Sequence, residues 1–220
     1  MKKKILFVAL LVFHSSIFAG DESFDVLGSV MDTTKKEINA KQTVDNGKKD
    51  FLNSKYTKLN KEGYWQFFQA SSKAKKGEYC TAVFTKEGVG VSILGPGGDY
   101  RGALMMFFSA HENPAFPVSK TTAKIPVTLK QGSDAPVTIK ALNYMIGTSW
   151  PTPVVVFAVP TIEAAIEGMD DKLDFHLQYD GQNIVDVEWH GGLAAKEELK
   201  KCLAGKPFND KNPLKDKSIK

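Results

Sequence analysis

From Tyr64 onward the chain is made of short apolar runs, rich in aromatic and β-branched residues, that are repeatedly interrupted by Gly and Pro. This pattern is typical of an antiparallel β-fold, because such side chains fit a pleated, half-buried strand and Gly and Pro favour the turns between strands. The pattern predicts about eight to ten strands. The candidates are residues 64–70, 79–85, 89–94, 103–109, 124–130, 137–142, 154–159, 173–179 and 183–189.

The last two candidate strands give the clearest signal. Within 173–179 apolar residues alternate with polar ones, as on a strand with one buried face. Asp180 and Gly181 follow, and an Asp-Gly pair is favoured in a two-residue hairpin turn. We therefore predict a β-hairpin over 173–189.

Two short helices are predicted among the strands. Thr161 can cap the first, which has an apolar stripe over 162–169. The second covers 193–203 and is stopped by Gly205. Together these elements predict a mainly β domain at 63–205, an antiparallel β-sandwich closed by two short helices.

The segments on either side of this domain are polar and rich in lysine. We expect 20–62 to be helical or partly disordered and to lie across the surface of the domain, with a partner-binding arm as the alternative. We expect 206–220 to be a disordered basic tail. The sparse apolar residues before position 45 recur at helical spacings: Phe24, Leu27, Val30, Met31, Ile38 and Val44.

The first nineteen residues have the organisation of an export signal. Three lysines at positions 2–4 precede an apolar run over 5–13, and Ser15, Ser16 and Ala19 provide small residues for cleavage. The apolar run is too short for a membrane anchor, which needs about 20 apolar residues. We predict cleavage after Ala19 and a mature chain in the periplasm or outside the cell, with no stable membrane span.

Charge gives little reason to expect a nucleic-acid partner. Three of the 29 Lys and Arg residues lie in the signal and none of the 25 Asp and Glu residues do, so the mature chain has a formal net charge of only +1. Proteins that bind nucleic acid usually concentrate positive charge on one face. We expect no nucleic-acid partner and no cofactor.

The chain contains two cysteines, Cys80 and Cys202. In an oxidising compartment a disulfide between them is the default expectation. Two buried free thiols, or a catalytic thiolate, are the alternatives. Cys202 is expected on the buried face of the final helix, from which it could reach the strand that carries Cys80.

No catalytic or metal-binding motif is evident. The histidines of the mature chain, His111, His176 and His190, lack the short fixed spacings of a metal site. We predict no catalytic residues and no metal. One alternative is an exported hydrolase with a site assembled from His176, His190 and Asp174, and another is a carrier of a small apolar ligand, which would have a cavity between its sheets.

A binding protein would instead use exposed aromatic or apolar residues. Residues 105–108 are Met-Met-Phe-Phe, so a strand must point two of them to each face. We favour a central strand of a sandwich, covered on both faces, and otherwise one pair, such as Met105 and Phe107, contributes to a binding patch. Trp150, in a Pro-containing loop, is the other candidate partner contact.

The order of features resembles the secreted invasion-associated locus B family. The resemblance rests on Tyr64-Trp65 in the first strand, a cysteine strand at 80–82, a helix beginning at 162–165, a final hairpin and a Gly-Leu-Ala-Ala helix at 192–195. It implies a small exported β-sandwich linked with host interaction, virulence or envelope function, without a defined catalytic site. We therefore expect a non-catalytic exported protein that binds a protein or cell-envelope partner.

Overall fold

A computed structural model describes residues 56–98, 100–109, 113–147 and 151–215. Nine strands form one antiparallel sheet in the order β1-β2-β3-β4-β7-β6-β5-β8-β9. The strands are β1 Tyr64–Gln69, β2 Cys80–Lys86, β3 Val89–Gly95, β4 Ala103–Ser109, β5 Ala123–Gln131, β6 Val137–Ile146, β7 Thr152–Val159, β8 Leu173–Tyr179 and β9 Gln182–Trp189. The described helices are α1 at 56–62, α2 Ile162–Glu167 and α3 Gly192–Leu203.

The predicted mainly β character is confirmed, and each predicted strand corresponds to one of these nine. The largest difference in length is at β6, which continues to Ile146 beyond the predicted end at 142. The predicted final hairpin is present as β8 and β9. Asp180 and Gly181 form its turn with φ values of 51° and 73°, the left-handed conformation that a type I′ turn requires at both positions.

The sheet curls into a half-barrel, so the predicted sandwich of two sheets is not confirmed. The β8–β9 end lies over the inner face of the first strands. The rings of Trp65 and Trp189 are 5.3 Å apart, and those of Phe107 and Phe175 are 5.4 Å apart. Strand twist accumulates across a wide sheet, so that one sheet can bury its own inner face.

The two predicted helices, α2 and α3, pack against this interior. Thr161 caps α2, since its hydroxyl oxygen accepts from the backbone N–H of Ala164 at 3.0 Å. Along α3, Ala195, Leu199 and Cys202 are buried. Both helices contribute to the inner cluster, the apolar core between the two halves of the curled sheet.

The segments outside the β domain are described only in part. The predicted signal at 1–19 and residues 20–55 lie outside the described residues, whereas 56–62 are helical and lead into β1. In the predicted disordered tail, the backbone N–H of Asn209 donates to Glu198 Oε2 at 2.7 Å, and Phe208 packs against the inner cluster. Residues 216–220 lie outside the described residues.

Candidate functional site

The two cysteines form a disulfide, as the sequence predicts. Cys80 and Cys202 are 122 residues apart and join the first residue of β2 to the last turn of α3. Both are buried. Because the chain has only these two cysteines, it has no free thiol for nucleophilic catalysis.

Two of the residues proposed as partner contacts are in the core. Met105 and Phe107 point into the inner cluster, with exposed fractions of 5% and 0%. The Phe107 ring contacts those of Phe157 and Phe175 at 5.9 and 5.4 Å. These side chains are therefore not at the surface, because β4 lies in the middle of the sheet and alternate residues of such a strand face the core.

Trp150, the third candidate, lies outside the described residues, between the end of β6 and the start of β7 in the sequence. The strand β6 ends at Ile146, which pairs with Thr152 at the start of β7. Phe108 near the end of β4 pairs with Val154 near the start of β7. The end of β4, the end of β6 and the start of β7 therefore lie at the same end of the sheet, which we call the loop end.

Residues 113–122 form a described loop that follows β4, and Val118 is its most exposed apolar residue. The exposed fraction of Val118 is 67%. Phe116, two residues earlier in the same loop, is buried in the inner cluster. An apolar side chain is thus presented to solvent next to an anchored one, an arrangement suited to contact with another molecule.

Two side-chain amides hold this loop in place. The Asn143 side-chain amide on β6 donates to the Pro117 carbonyl and to the Val154 carbonyl, each at 2.9 Å. Asn113 Nδ2 donates to the carbonyl of Ile184 on β9 at 3.2 Å. The loop is therefore tied to both halves of the sheet. No sequence pattern singles out Val118, and the local signal for a rigid loop is the pair of prolines at 114 and 117.

His176 lies between two carboxylates on the polar face of the β8–β9 hairpin. Its Nε2 is 2.9 Å from Asp174 Oδ2, and its Nδ1 is 3.1 Å from Asp186 Oδ1. Each ring nitrogen of His176 thus faces one carboxylate of the same hairpin. The cluster is half exposed at the surface of the hairpin.

His190 is not part of that cluster. Its Nε2 donates to the Glu62 carbonyl at 2.9 Å, and its ring meets Phe84 edge-on with centroids 5.4 Å apart. His176 pairs with Asp186 in the hairpin register, so His190 is four residues, or about 13 Å, further along the chain. The structure thus brings Asp174 and His176 together but not the set proposed for a hydrolase. His111 lies outside the described residues.

Aromatic rings fill the interior of the described domain. The Phe175 ring contacts that of Trp189 at 4.8 Å, and the Trp189 ring contacts that of Trp65 at 5.3 Å. A ligand carrier would need open space between the two halves of the sheet. In the described part of the chain the inner cluster holds these rings together with those of Phe84 and Phe107.

Within the described ranges, no three His, Cys, Asp or Glu side chains are grouped so that they could hold a metal ion. The helices in the same part of the chain are not long and apolar enough for any of them to cross a membrane. Comparisons with protein-family models, with curated proteins and with solved structures gave no match for this chain.

Proposed function

We propose that this protein is exported and non-catalytic, and that it binds a protein or cell-envelope partner in the periplasm or outside the cell. The buried Cys80–Cys202 disulfide supports an oxidising compartment, because disulfides persist there and are rare in the cytosol. The export signal read from residues 1–19 supports the same location. Cleavage after Ala19 would release the mature chain.

The main support for the binding proposal is an exposed apolar residue on an anchored loop at the loop end of the sheet. Val118 is exposed on a loop whose backbone is tied to β6 and β9 by side-chain amides. In the sequence Trp150 lies between β6 and β7, whose adjoining ends, Ile146 and Thr152, are at the loop end. Binding residues commonly lie on loops that a rigid scaffold positions, since an ordered loop loses little conformational entropy when it binds.

Site-specific photo-crosslinking in intact cells tests this proposal. A photoreactive amino acid at Val118 or Trp150 should trap a discrete partner that mass spectrometry can identify. Val137 is a matched control, because it is also an exposed valine, with an exposed fraction of 54%, but begins β6 at the opposite end of that strand. Equal trapping from Val118 and Val137, or trapping from neither loop, would contradict a binding surface at the loop end.

The proposed export is tested separately, by cell fractionation. The protein should be recovered from the periplasmic or extracellular fraction with Gly20 as its first residue and with the disulfide formed. A non-reducing gel of alkylated samples reports the disulfide, and N-terminal sequencing reports the cleavage site. Recovery in the cytoplasm with both thiols reduced would contradict the proposed location.

The resemblance to the invasion-associated locus B family extends the proposal to host interaction, with a virulence role, or to an envelope function. A deletion strain should then enter host cells less efficiently, or should show a weakened envelope, and expression of the intact gene should restore the phenotype. Complementation with a Val118→Asp variant separates a role of the loop end from a role of the rest of the fold.

A further inference from the structure

The sheet carries a second apolar surface on the face that points away from the inner cluster. We call it the outer face. In the order of the sheet it extends across six strands, β1, β2, β3, β4, β7 and β6. Along each strand its side chains alternate with those of the inner cluster. Its apolar members are Phe68, Ala70, Tyr79, Leu94, Leu104, Met106, Phe108, Leu142, Tyr144, Ile146, Val154 and Val156.

The centre of the outer face is buried. Leu94 and Val154 have exposed fractions of 0%, and Met106 and Val156 of 1%. The buried apolar residues of α2 and α3, by contrast, belong to the inner cluster, and Phe208 of the tail packs against it. Among the described residues, the two outer clusters contain only strand residues and their immediate neighbours. The described helices therefore do not account for the burial of the outer face.

The described chain begins beside this face. Tyr64, the first residue of β1, lies in a row of paired residues that crosses the sheet through Thr85, Gly90 and Phe108 to Val154. Burial, together with the nearby Tyr56, raises the pKa of Tyr64 to about 12. The helix α1 at 56–62 leads through Gly63 directly into Tyr64, so the described chain enters the sheet at the edge of the outer face.

We propose that the segment 21–55 of the mature chain covers the outer face through its own apolar residues. Phe24, Leu27, Met31 and Ile38 recur at spacings that place them on one side of a helix. A helix over 24–38 would be about 22 Å long. The six strands that carry the outer face span about 24 Å from the first to the last, so one helix of this length fits across them.

Cover by a segment of the same chain would explain why the apolar outer face is buried. Contiguous apolar patches larger than a few hundred Å² are rare on the surfaces of monomers. The connection from 39 to 55 is long enough to bring a helix at 24–38 back over the sheet, since extended chain advances about 3.3 Å per residue. On this proposal the segment 21–55 covers the outer face. The loop end is a separate feature, which the proposed function assigns to contact with a partner.

Methionine oxidation tests the proposal in the full mature chain. Met106 lies on the outer face and Met105 in the inner cluster, so these neighbouring residues report on opposite sides of the same strand. In Phe24→Asp/Leu27→Asp, oxidation of Met106 by peroxide should become about tenfold faster, because its cover is weakened, while Met105 stays protected. Ser29→Asp/Thr33→Asp adds the same charge to the opposite side of the predicted helix and should leave both rates unchanged.

Two results would overturn the proposal. One is protection of Met106 that persists in Phe24→Asp/Leu27→Asp. The other is protection that depends on protein concentration in the unsubstituted chain, which would identify a second copy as the cover. Protection that appears only with cell extract would likewise assign the face to a partner and overturn the proposal.

If Phe24→Asp/Leu27→Asp does not fold, photo-crosslinking within the otherwise unsubstituted chain tests the same proposal. A photoreactive group at Leu27 should form links to outer-face residues of β3, β4 and β7, and a group at Ser29 should not. Links from Leu27 to inner-cluster residues, or the absence of links to the sheet, would contradict the proposal. These readouts do not involve the partner, so they are independent of the proposed function.

Discussion

At the scale of single residues, Asn143 shows how one buried amide organises the loop end. It is 1% exposed, and its side chain joins the loop at Pro117 to the backbone of β7 at Val154. Buried polar groups that lose their partners cost more than exposed ones, because no water replaces the lost hydrogen bond. The position of the Val118 loop therefore depends on this side chain.

Asn143→Ala should lower the free energy of unfolding by about 2 to 3 kcal/mol, since it leaves two carbonyl oxygens without this donor. Urea denaturation measures the change. Thr138→Ala removes an exposed hydrogen bond to Thr128 on a neighbouring strand and should cost less than about 0.5 kcal/mol. Similar values for the two variants would show that the Asn143 amide does not stabilise the loop.

Tyr64 predicts a dependence of stability on alkaline pH. Its pKa is raised from 10.0 to about 12 by burial, and to a smaller extent by Tyr56, while the hydrogen bond with Thr85 lowers it. A phenol whose pKa is raised in the folded state stays neutral while the unfolded chain ionises. Its contribution is therefore complete below pH 10 and is lost as the pH rises toward 12.

The unsubstituted protein should lose stability more steeply than Tyr64→Phe between pH 10 and pH 12. Denaturation at a series of pH values measures the difference, and tyrosinate absorbance measures the pKa itself. Thr85→Val removes the hydrogen bond that favours the ionised form and should raise the pKa of Tyr64 further. Parallel stability curves for the two proteins would contradict burial of this phenol.

At the scale of elements, the connection between β9 and α3 leaves no room for a side chain at Gly192. A Cβ on Gly192 would collide with the Asp170 carbonyl oxygen and would lie 2.9 Å from Trp189 Nε1. That indole nitrogen itself donates to the Asp170 carbonyl at 3.0 Å. The first residue of α3 must therefore be glycine for the helix to pack at this point.

Gly192→Ala should lower the free energy of unfolding by about 2 to 3 kcal/mol, because backbone rather than a movable side chain opposes the added methyl group. Trp189 fluorescence and denaturation report the change. Gly181→Asn in the β8–β9 turn is the matched control, since no atom lies within 4 Å of its added Cβ and Asn tolerates the left-handed conformation. An equal loss in both variants would show that crowding at Gly192 is not the cause.

Sequence patterns predicted the elements well wherever the signal was local. Alternation over 173–179 and the Asp-Gly turn predicted β8 and its hairpin, and Thr161 predicted the start of α2. The run at 105–108 predicted a strand covered on both faces, and β4 is such a strand. Those residues did not reveal which pair faces the core, because consecutive apolar side chains carry no alternation.

At the scale of the whole molecule, the disulfide joins distant parts of the chain. It connects β2 to the last helix across 122 residues and lies at the inner cluster. A cross-link across so long a loop restricts the unfolded chain strongly, and in the chain-entropy model it stabilises the fold by about 4 to 5 kcal/mol. The final helix is thereby fixed to the first half of the sheet.

Cys80→Ala/Cys202→Ala should therefore be less stable than the oxidised protein by up to about 5 kcal/mol. Urea denaturation with and without a reducing agent measures the loss. Reduction should lower the midpoint of the unsubstituted protein and should not affect the double variant. Equal midpoints for the oxidised and reduced protein would contradict a structural role for the disulfide.

The sequence by itself determined the positions of the strands, both helices that close the domain and the final turn, because alternation, capping and turn residues act over a few neighbouring positions. Only the tertiary structure decided that the strands form one curled sheet, with β4 next to β7 and β5 next to β8. It also decided that Met105 faces inward and that His176 and His190 lie apart. These features depend on contacts between residues far apart in the chain, whose pairing no local pattern records.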